Sequence, residues 1–187
     1  MPIEHERKLL LCMSKPHDVL RSLKNSPQVT TFDITQGYIS KSARIRHLVE
    51  HQSKDEQHVF TYKVKVAGAT VELEQEISIH DYHKLFLIAK PVIYKTRCKF
   101  KDGDNQWDVD FFKAAKTGEI YLAMAEVEMP EFEMELPEPH QLIAPYVSKW
   151  IDKDDKRFQN RNLGNNKKIA KLLKEIGCSN PNIEVSS

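Results

Sequence analysis

Charged residues separated by a single position recur along this chain, and this spacing constrains its fold more than any other feature. In a β-strand, residues i and i+2 point to the same face of the sheet. Each pair therefore predicts a strand that directs two charges to one side. The sets are Glu4, Glu6 and Lys8; Arg44 and Arg46; Lys63 and Lys65; Glu74 and Glu76; Lys95 and Arg97; Asp108 and Asp110; and Glu126 and Glu128. A sheet that gathers both signs of charge on one face indicates a polar interior or groove.

Eight segments have the pattern of strands, and short turns join most of them. They span residues 3–13, 28–40, 42–50, 58–66, 70–79, 92–101, 106–112 and 119–129. Apolar periodicity predicts helices over residues 16–24, 81–90, 141–151 and 166–176. Eight strands with short connections favour a closed or nearly closed antiparallel barrel. The predicted fold is therefore α+β, mainly β: an eight-stranded antiparallel closed tunnel with a charged lumen, whose apolar outer face is covered by flanking helices.

Composition argues against several classes of protein. The 187 residues include 28 Lys and Arg against 27 Asp and Glu, and a net charge of +1 gives no sign of a nucleic-acid or membrane-surface partner. Cys12, Cys98 and Cys178 are widely spaced and form no C-x-x-C motif, which is typical of a reducing cytoplasm. We find no signal-peptide pattern and no apolar run near the ~20 residues of a membrane span. These features predict a cytoplasmic protein.

The predicted lumen has the chemistry of a site for a metal-chelated polyphosphate. Cations confined together repel one another unless a polyanion lies among them. Paired carboxylates also repel, and a hard divalent cation with oxygen ligands relieves that repulsion. Any single pair could instead lie on the solvated face of an ordinary antiparallel strand. Seven such sets along one chain favour a polyphosphate site over seven separate solvated strand faces.

The ordered motifs of residues 1–165 resemble those of the CYTH superfamily, also called triphosphate tunnel metalloenzymes. They are Glu4-His5-Glu6-Arg7-Lys8 (E-x-E-x-K), Gln36-Gly37-Tyr38-Ile39 (Q-G-Y-L), Ala43-Arg44-Ile45-Arg46 (R-x-R), Thr61-Tyr62-Lys63 (T-x-K), Glu74-Gln75-Glu76-Ile77 (E-x-E-I), Lys95-Thr96-Arg97 (K-T-R), Trp107-Asp108-Val109-Asp110-Phe111-Phe112 (W-x-V-D-x-F), Ala125-Glu126-Val127-Glu128-Met129 (A-E-V-E-L) and residues 155–163 (D-x-R-Y-S-N-x-x-L). The resemblance predicts one tunnel domain over residues 1–165, with a basic helix and frayed tail over 166–187 belonging to the same domain.

The resemblance implies a cofactor, Mg²⁺ or Mn²⁺, and a role for each matching residue. The implied phosphate-binding residues are Lys8, Arg44, Arg46, Lys63, Lys95 and Arg97, to which strand parity adds Lys65. The implied metal ligands are Glu4, Glu6, Asp110, Glu126 and Glu128, with Glu74 and Glu76 as further contributors. The catalytic set is Glu4, Glu6, Lys8, Glu126 and Glu128. One departure from the family pattern is Glu72, which stands where an arginine is common.

The resemblance leaves three functions open. Metal-dependent hydrolysis of a triphosphate, releasing orthophosphate, ranks first because we find no nucleobase-recognition motif. A class IV-type adenylate cyclase, making cyclic AMP and pyrophosphate from ATP, needs the same cations and carboxylates. A non-catalytic binder of a triphosphorylated nucleotide or RNA end is the third. The expected partner is a small-molecule triphosphate, with no DNA or membrane, and a homodimer is left open.

Overall fold

The computed structural model describes residues 6–11, 14–66, 69–129 and 135–177, and nine strands in this part of the chain form one sheet. The strands are β1 Glu6–Leu11, β2 Thr30–Tyr38, β3 Ala43–Glu50, β4 Glu56–Val66, β5 Ala69–Glu76, β6 Val92–Asp102, β7 Asn105–Lys113, β8 Ile120–Glu128 and β9 Val147–Ile151. Their order is β5-β4-β3-β2-β6-β7-β8-β1-β9, and all neighbours are antiparallel. The predicted mainly-β α+β class is confirmed.

The ninth strand corrects a predicted helix. Residues 141–151 form a 3₁₀ turn at Ala144–Tyr146 followed by β9, rather than one helix. β9 pairs with β1, with Trp150 opposite Leu9. The apolar residues of this segment fit the period of a helix as well as that of a strand. The segment forms a strand because β1 offers a free edge for pairing.

The pairing of β9 also bears on the predicted closure of the barrel. Closing the sheet would require β1 to pair with β5, but β9 occupies the second edge of β1. Among the described residues no pairing joins the two end strands, β5 and β9. The sheet is therefore open in its hydrogen bonding, which differs from the closed eight-stranded barrel predicted above.

Two helices cover the outer face of the sheet, as predicted. Helix α1, Pro16–Lys24, packs Val19 and Leu23 against outer-face residues of β6, β7 and β8, among them Trp107 and Phe111. Helix α2, Ile79–Phe86, packs Tyr82 against β3. Burying a large apolar side chain contributes roughly 1.5–3 kcal/mol, so these contacts stabilise the sheet from its apolar side.

The C-terminal helices lie on the opposite, inner face. They are α3, Asn160–Leu163, and α4, Asn166–Glu175. Three α4 side chains, Ile169, Leu172 and Leu173, join the inner-face residues Leu10, Ile93, Phe112, Leu122 and Met124 in one core cluster. By strand parity these five lie on the same face as the charged residues of their own strands. The inner face is thus charged at one end and apolar at the other, and α4 covers the apolar end. None of the helices in the described part of the chain combines the length and apolarity needed to cross a membrane.

Gly37 allows β2 to approach closely the segment that follows α2. A Cβ at position 37 would lie 2.7 Å from the Cβ of Ala89, which is closer than packed carbon atoms can come. We expect Gly37→Ala to lower the free energy of unfolding by about 1–3 kcal/mol through overpacking, measured by urea denaturation. Combining it with Ala89→Gly removes the clashing atom and should recover part of the loss. Equal losses in the single and double variants would contradict the proposed clash.

Candidate functional site

The charged end of the inner face lines a cavity of about 920 Å³. Strands β1 to β8 all contribute to its wall, as do residues 159–161 before and within α3. Ten of the predicted site residues line it: Glu6, Lys8, Arg44, Arg46, Lys63, Glu74, Lys95, Arg97, Glu126 and Glu128. Among the described lining residues, eight cations outnumber six carboxylates. This excess favours an anionic occupant.

Four predicted residues are placed differently. Glu4 lies outside the described residues, and the backbone of Lys65 is described but its side chain is not. Glu76 is exposed at the end of β5 and does not line the cavity. Asp110 is buried beneath the cavity floor, with none of its surface accessible.

Asp110 anchors two of the predicted phosphate-binding cations. Its Oδ2 accepts from Lys95 Nζ at 2.6 Å and from Arg97 NH2 at 2.7 Å, and its Oδ1 accepts from Arg97 Nε at 2.7 Å. Burial opposes ionisation of Asp110, but Arg97 and Lys95 outweigh it and hold the pKa of Asp110 well below its usual range. Both carboxylate oxygens therefore orient cations that reach the cavity.

The two anchored cations differ in their charge at neutral to alkaline pH. Burial and the neighbouring Arg97 lower the pKa of Lys95 to about 8, although Asp110 and Glu126 act against the shift. Burial also disfavours the charge of Arg97, but its carboxylate partners, Asp110 first, raise the pKa of Arg97 above its usual value. Arg97 is thus a fixed positive charge, whereas Lys95 can give up its proton near pH 8.

Lys8 on β1 lies between two carboxylates of the cavity wall. It donates to Glu6 on its own strand and to Glu126 on β8. Burial alone would lower the pKa of Lys8, but Glu126 and Glu6 reverse the effect and raise it. Glu126 also accepts from Arg97 NH2 at 3.3 Å. Burial would raise the pKa of Glu126, but Lys8 and Arg97 outweigh it and keep the carboxylate ionised.

Strands β3, β4 and β5 form a second cationic wall, held by carboxylates from β5. Glu72 accepts from Arg44 NH2 at 2.8 Å and lies 2.6 Å from Lys63 Nζ. Glu74 accepts from Arg46. Burial and the neighbouring Arg44 lower the pKa of Arg46 to about 10. Glu72 had no role assigned from sequence, yet its spacing of two from Glu74 places it on the same face and could have identified it.

A group of carboxylates has the donor chemistry of a site for a hard divalent cation. Glu6 lies directly across from Glu128, and Glu126 lies across from Asp108, so four carboxylates occupy neighbouring positions on β1, β8 and β7. Opposed positions bring Cβ atoms to about 4.5–5.5 Å. Mg²⁺ and Mn²⁺ prefer such oxygen ligands. Asp108 joins this group as a residue that the motif comparison did not assign to the metal.

The cavity also includes residues from the closing motif, whose roles the sequence did not predict. Arg161 in α3 donates to the Ser40 carbonyl at 2.6 Å, and its guanidinium lies 5.7 Å from the ring centroid of Tyr38. Burial raises the pKa of Tyr38, which accepts from Gln36 at 2.7 Å. These contacts attach the segment before α4 to β2 at the edge of the cavity.

Sequence comparison identifies one informative relative. No protein-family model matches the chain. An inorganic triphosphatase from Acetivibrio thermocellus is 29% identical over 140 residues, covering 70% of this chain and 79% of that protein. The chain is a distant relative of this triphosphatase. The relationship confirms the resemblance predicted from the motifs.

Three solved structures cover most of the chain at low similarity. A conserved hypothetical protein from Pyrococcus furiosus and a protein from Pyrococcus horikoshii each cover 100% of this chain and 97% and 96% of their own. Their identities are 13% and 14%, both with a TM-score of 0.42. A chain of the Schizosaccharomyces pombe Mediator head module covers 91% of this chain and 94% of its own, with 9% identity and a TM-score of 0.43. Structural similarity this low gives no information about function.

Proposed function

We propose that this chain hydrolyses a triphosphate compound with a divalent metal and releases orthophosphate, with inorganic triphosphate as the first candidate substrate. The observation that carries the proposal is that the cavity wall has a part rich in cations and a part rich in carboxylates. Cations from β3, β4 and β6 line the same cavity as the carboxylates from β1, β7 and β8. The distant relationship to an inorganic triphosphatase supports the same chemistry.

The cations would bind the phosphate groups. Arg44 and Arg46 are mostly buried yet line the cavity. Because folding has already removed part of their hydration, binding an anion would cost less additional desolvation. A bound phosphate would compete with Glu72 and Glu74 for these guanidiniums. Lys95 and Arg97 would act from the other side, with Asp110 fixing their positions.

The carboxylates would hold the metal. Glu6, Glu126 and Glu128 fit this role by their oxygen donors and their shared location, and we add Asp108 to the set; Glu4 remains a prediction outside the described residues. When bound, the metal would neutralise charge developing on phosphate oxygens and lower the pKa of a bound water. Lys8, which donates to both Glu6 and Glu126, would orient these carboxylates.

The curved sheet would serve as the wall of the predicted tunnel. Closure of the barrel by β1–β5 hydrogen bonds is unnecessary in this proposal, because residues of all eight strands from β1 to β8 already line one cavity. Helix α4 would exclude water from the apolar end of that face. This arrangement strengthens the electrostatic interactions at the charged end.

The test is phosphate release from inorganic triphosphate with Mg²⁺ and then Mn²⁺, beside a reaction with ATP analysed for cyclic AMP. We expect metal-dependent orthophosphate release without cyclic AMP. Formation of cyclic AMP and pyrophosphate would assign the cyclase activity instead. Binding of triphosphate and metal with no product in either reaction would overturn the proposed hydrolysis and favour the non-catalytic binder.

A further inference from the structure

Two histidines and a glutamate lie together on the outer face of the sheet, away from the charged cavity. His47 in β3 is directly opposite His58 in β4, and Glu56 precedes His58 by two positions. Strand alternation places all three on the face opposite Arg44 and Arg46. None of the three lines the cavity.

The ligand atoms of this group are close enough to share one ion. One ligand atom from each of His47, Glu56 and His58 lies within 4.8 Å of the others. Nε2 of His47 is 3.1 Å from Oε2 of Glu56. The two imidazole rings are parallel, with an interplanar angle of 1° and centroids 4.6 Å apart.

An aromatic side chain of α2 packs against both histidine rings. Tyr82 of α2 lies against both rings, with centroid distances of 4.9 Å to His58 and 5.9 Å to His47. Packing against Tyr82 restricts both rings before an ion arrives.

We propose that His47, His58 and Glu56 form a binding site for Zn²⁺ or a similar transition-metal ion on the outer face of the sheet. Two imidazoles and one carboxylate are a three-residue ligand set that zinc sites use, with a fourth position left for water. Mg²⁺ prefers oxygen ligands, so this site would discriminate against the ion proposed for the cavity. The proposal does not depend on the triphosphatase activity.

A bound ion would connect β3 to β4 behind the second cationic wall. Arg44 and Arg46 project from the other side of β3, and Lys63 from the other side of β4. Cross-linking neighbouring strands stabilises the folded state, because the unfolded chain does not hold the three ligands together. Zn²⁺ in excess should raise the Tm by about 5 °C or more.

The test is calorimetric titration of the untagged full chain with Zn²⁺ in the presence of excess Mg²⁺, followed by Co²⁺ substitution. We expect one high-affinity zinc site and visible Co²⁺ absorption bands. His47→Gln and His58→Gln should each weaken zinc binding at least about tenfold and abolish the rise in Tm. His80→Gln, which changes an exposed histidine outside the group, is the control and should leave both unchanged.

Two further results decide the proposal. Glu56→Gln alters an exposed side chain, so its folding should be unaffected, and it should also weaken zinc binding. Replacing Cys12 and Cys178 with serine should leave zinc binding intact. Zinc affinity that is unchanged in the three site variants, or lost only in the cysteine variant, would overturn the proposal. Neither outcome depends on phosphate release, so failure here is separate from failure of the proposed function.

Discussion

Glu126→Gln should lower metal-dependent phosphate release by at least about 100-fold while triphosphate binding stays as tight or becomes tighter. Glutamine keeps the shape of the side chain but removes the charge that would hold the metal, and a loss of this size corresponds to about 2.7 kcal/mol of transition-state stabilisation. Removing a carboxylate from a cavity rich in Lys and Arg also lowers the repulsion of an incoming polyanion. Steady-state phosphate release and calorimetric binding of inorganic triphosphate measure the two effects.

The matched control for this prediction is Glu138→Gln. Glu138 is exposed and does not line the cavity, so its variant should retain the parent activity. The circular dichroism spectrum of Glu126→Gln should match that of the parent. A correctly folded Glu126→Gln chain that keeps its turnover and metal dependence would show that this carboxylate does not support the reaction.

Asp110→Asn should lower the free energy of unfolding by about 3 kcal/mol or more. Asp110 is fully buried and accepts from both Lys95 and Arg97. Removing one member of a buried ionic group leaves the remaining charges uncompensated, which typically costs about 3–5 kcal/mol. Asparagine also presents an NH₂ group where the Asp110 carboxylate accepts from Lys95 and Arg97. Urea denaturation followed by tryptophan fluorescence measures the change.

The control for Asp110→Asn is Asp104→Asn, at an exposed position between β6 and β7. That substitution should change stability by less than about 0.5 kcal/mol. If Asp110→Asn is no less stable than this control, the buried carboxylate does not hold the two cations in the folded chain.

The effect of Asp110→Asn should depend on pH in one direction. Although burial acts to raise it, Arg97 and Lys95 lower the pKa of Asp110 in the folded chain. A carboxyl with a lowered folded pKa contributes stability above its unfolded pKa of about 3.9 and loses it as pH falls further. The stability difference between the parent and Asp110→Asn should therefore persist from neutral pH to about pH 4 and shrink at lower pH. A difference that instead disappears between pH 7 and pH 5 would contradict this assignment.

Much of the candidate site could be predicted from the sequence because strand alternation is a local property. The spacing of two in Arg44 and Arg46, or in Lys95 and Arg97, requires only an extended backbone to place both side chains on one face. The hairpin turn at residues 102–105 is similarly local: Asp102 pairs with Asn105, and Gly103 has a positive φ. Such features do not depend on which strands later become neighbours.

Cross-strand relationships could not be predicted from the same patterns. The carboxylate of Asp110 lies beneath Lys95 and Arg97 because β7 pairs with β6 in a particular register. The pairing of Glu72 with Arg44 also requires a side chain of β5 to reach across β4 to β3, because β5 lies two strands from β3 in the sheet order. Periodicity identifies the face on which a charge lies, but not the charge that it meets.

The sequence by itself determined the mainly-β class, the alternation of charged and apolar faces, and most of the charged residues of the cavity wall. Only the tertiary structure decided that residues 147–151 form β9 and that α4 covers the apolar end of the inner face. The physical reason for β9 is that the local sequence suits a helix and a strand about equally. The physical reason for α4 is that an apolar helix face does not specify the surface against which it packs. Both outcomes depend on which edge and which surface the folded sheet leaves available.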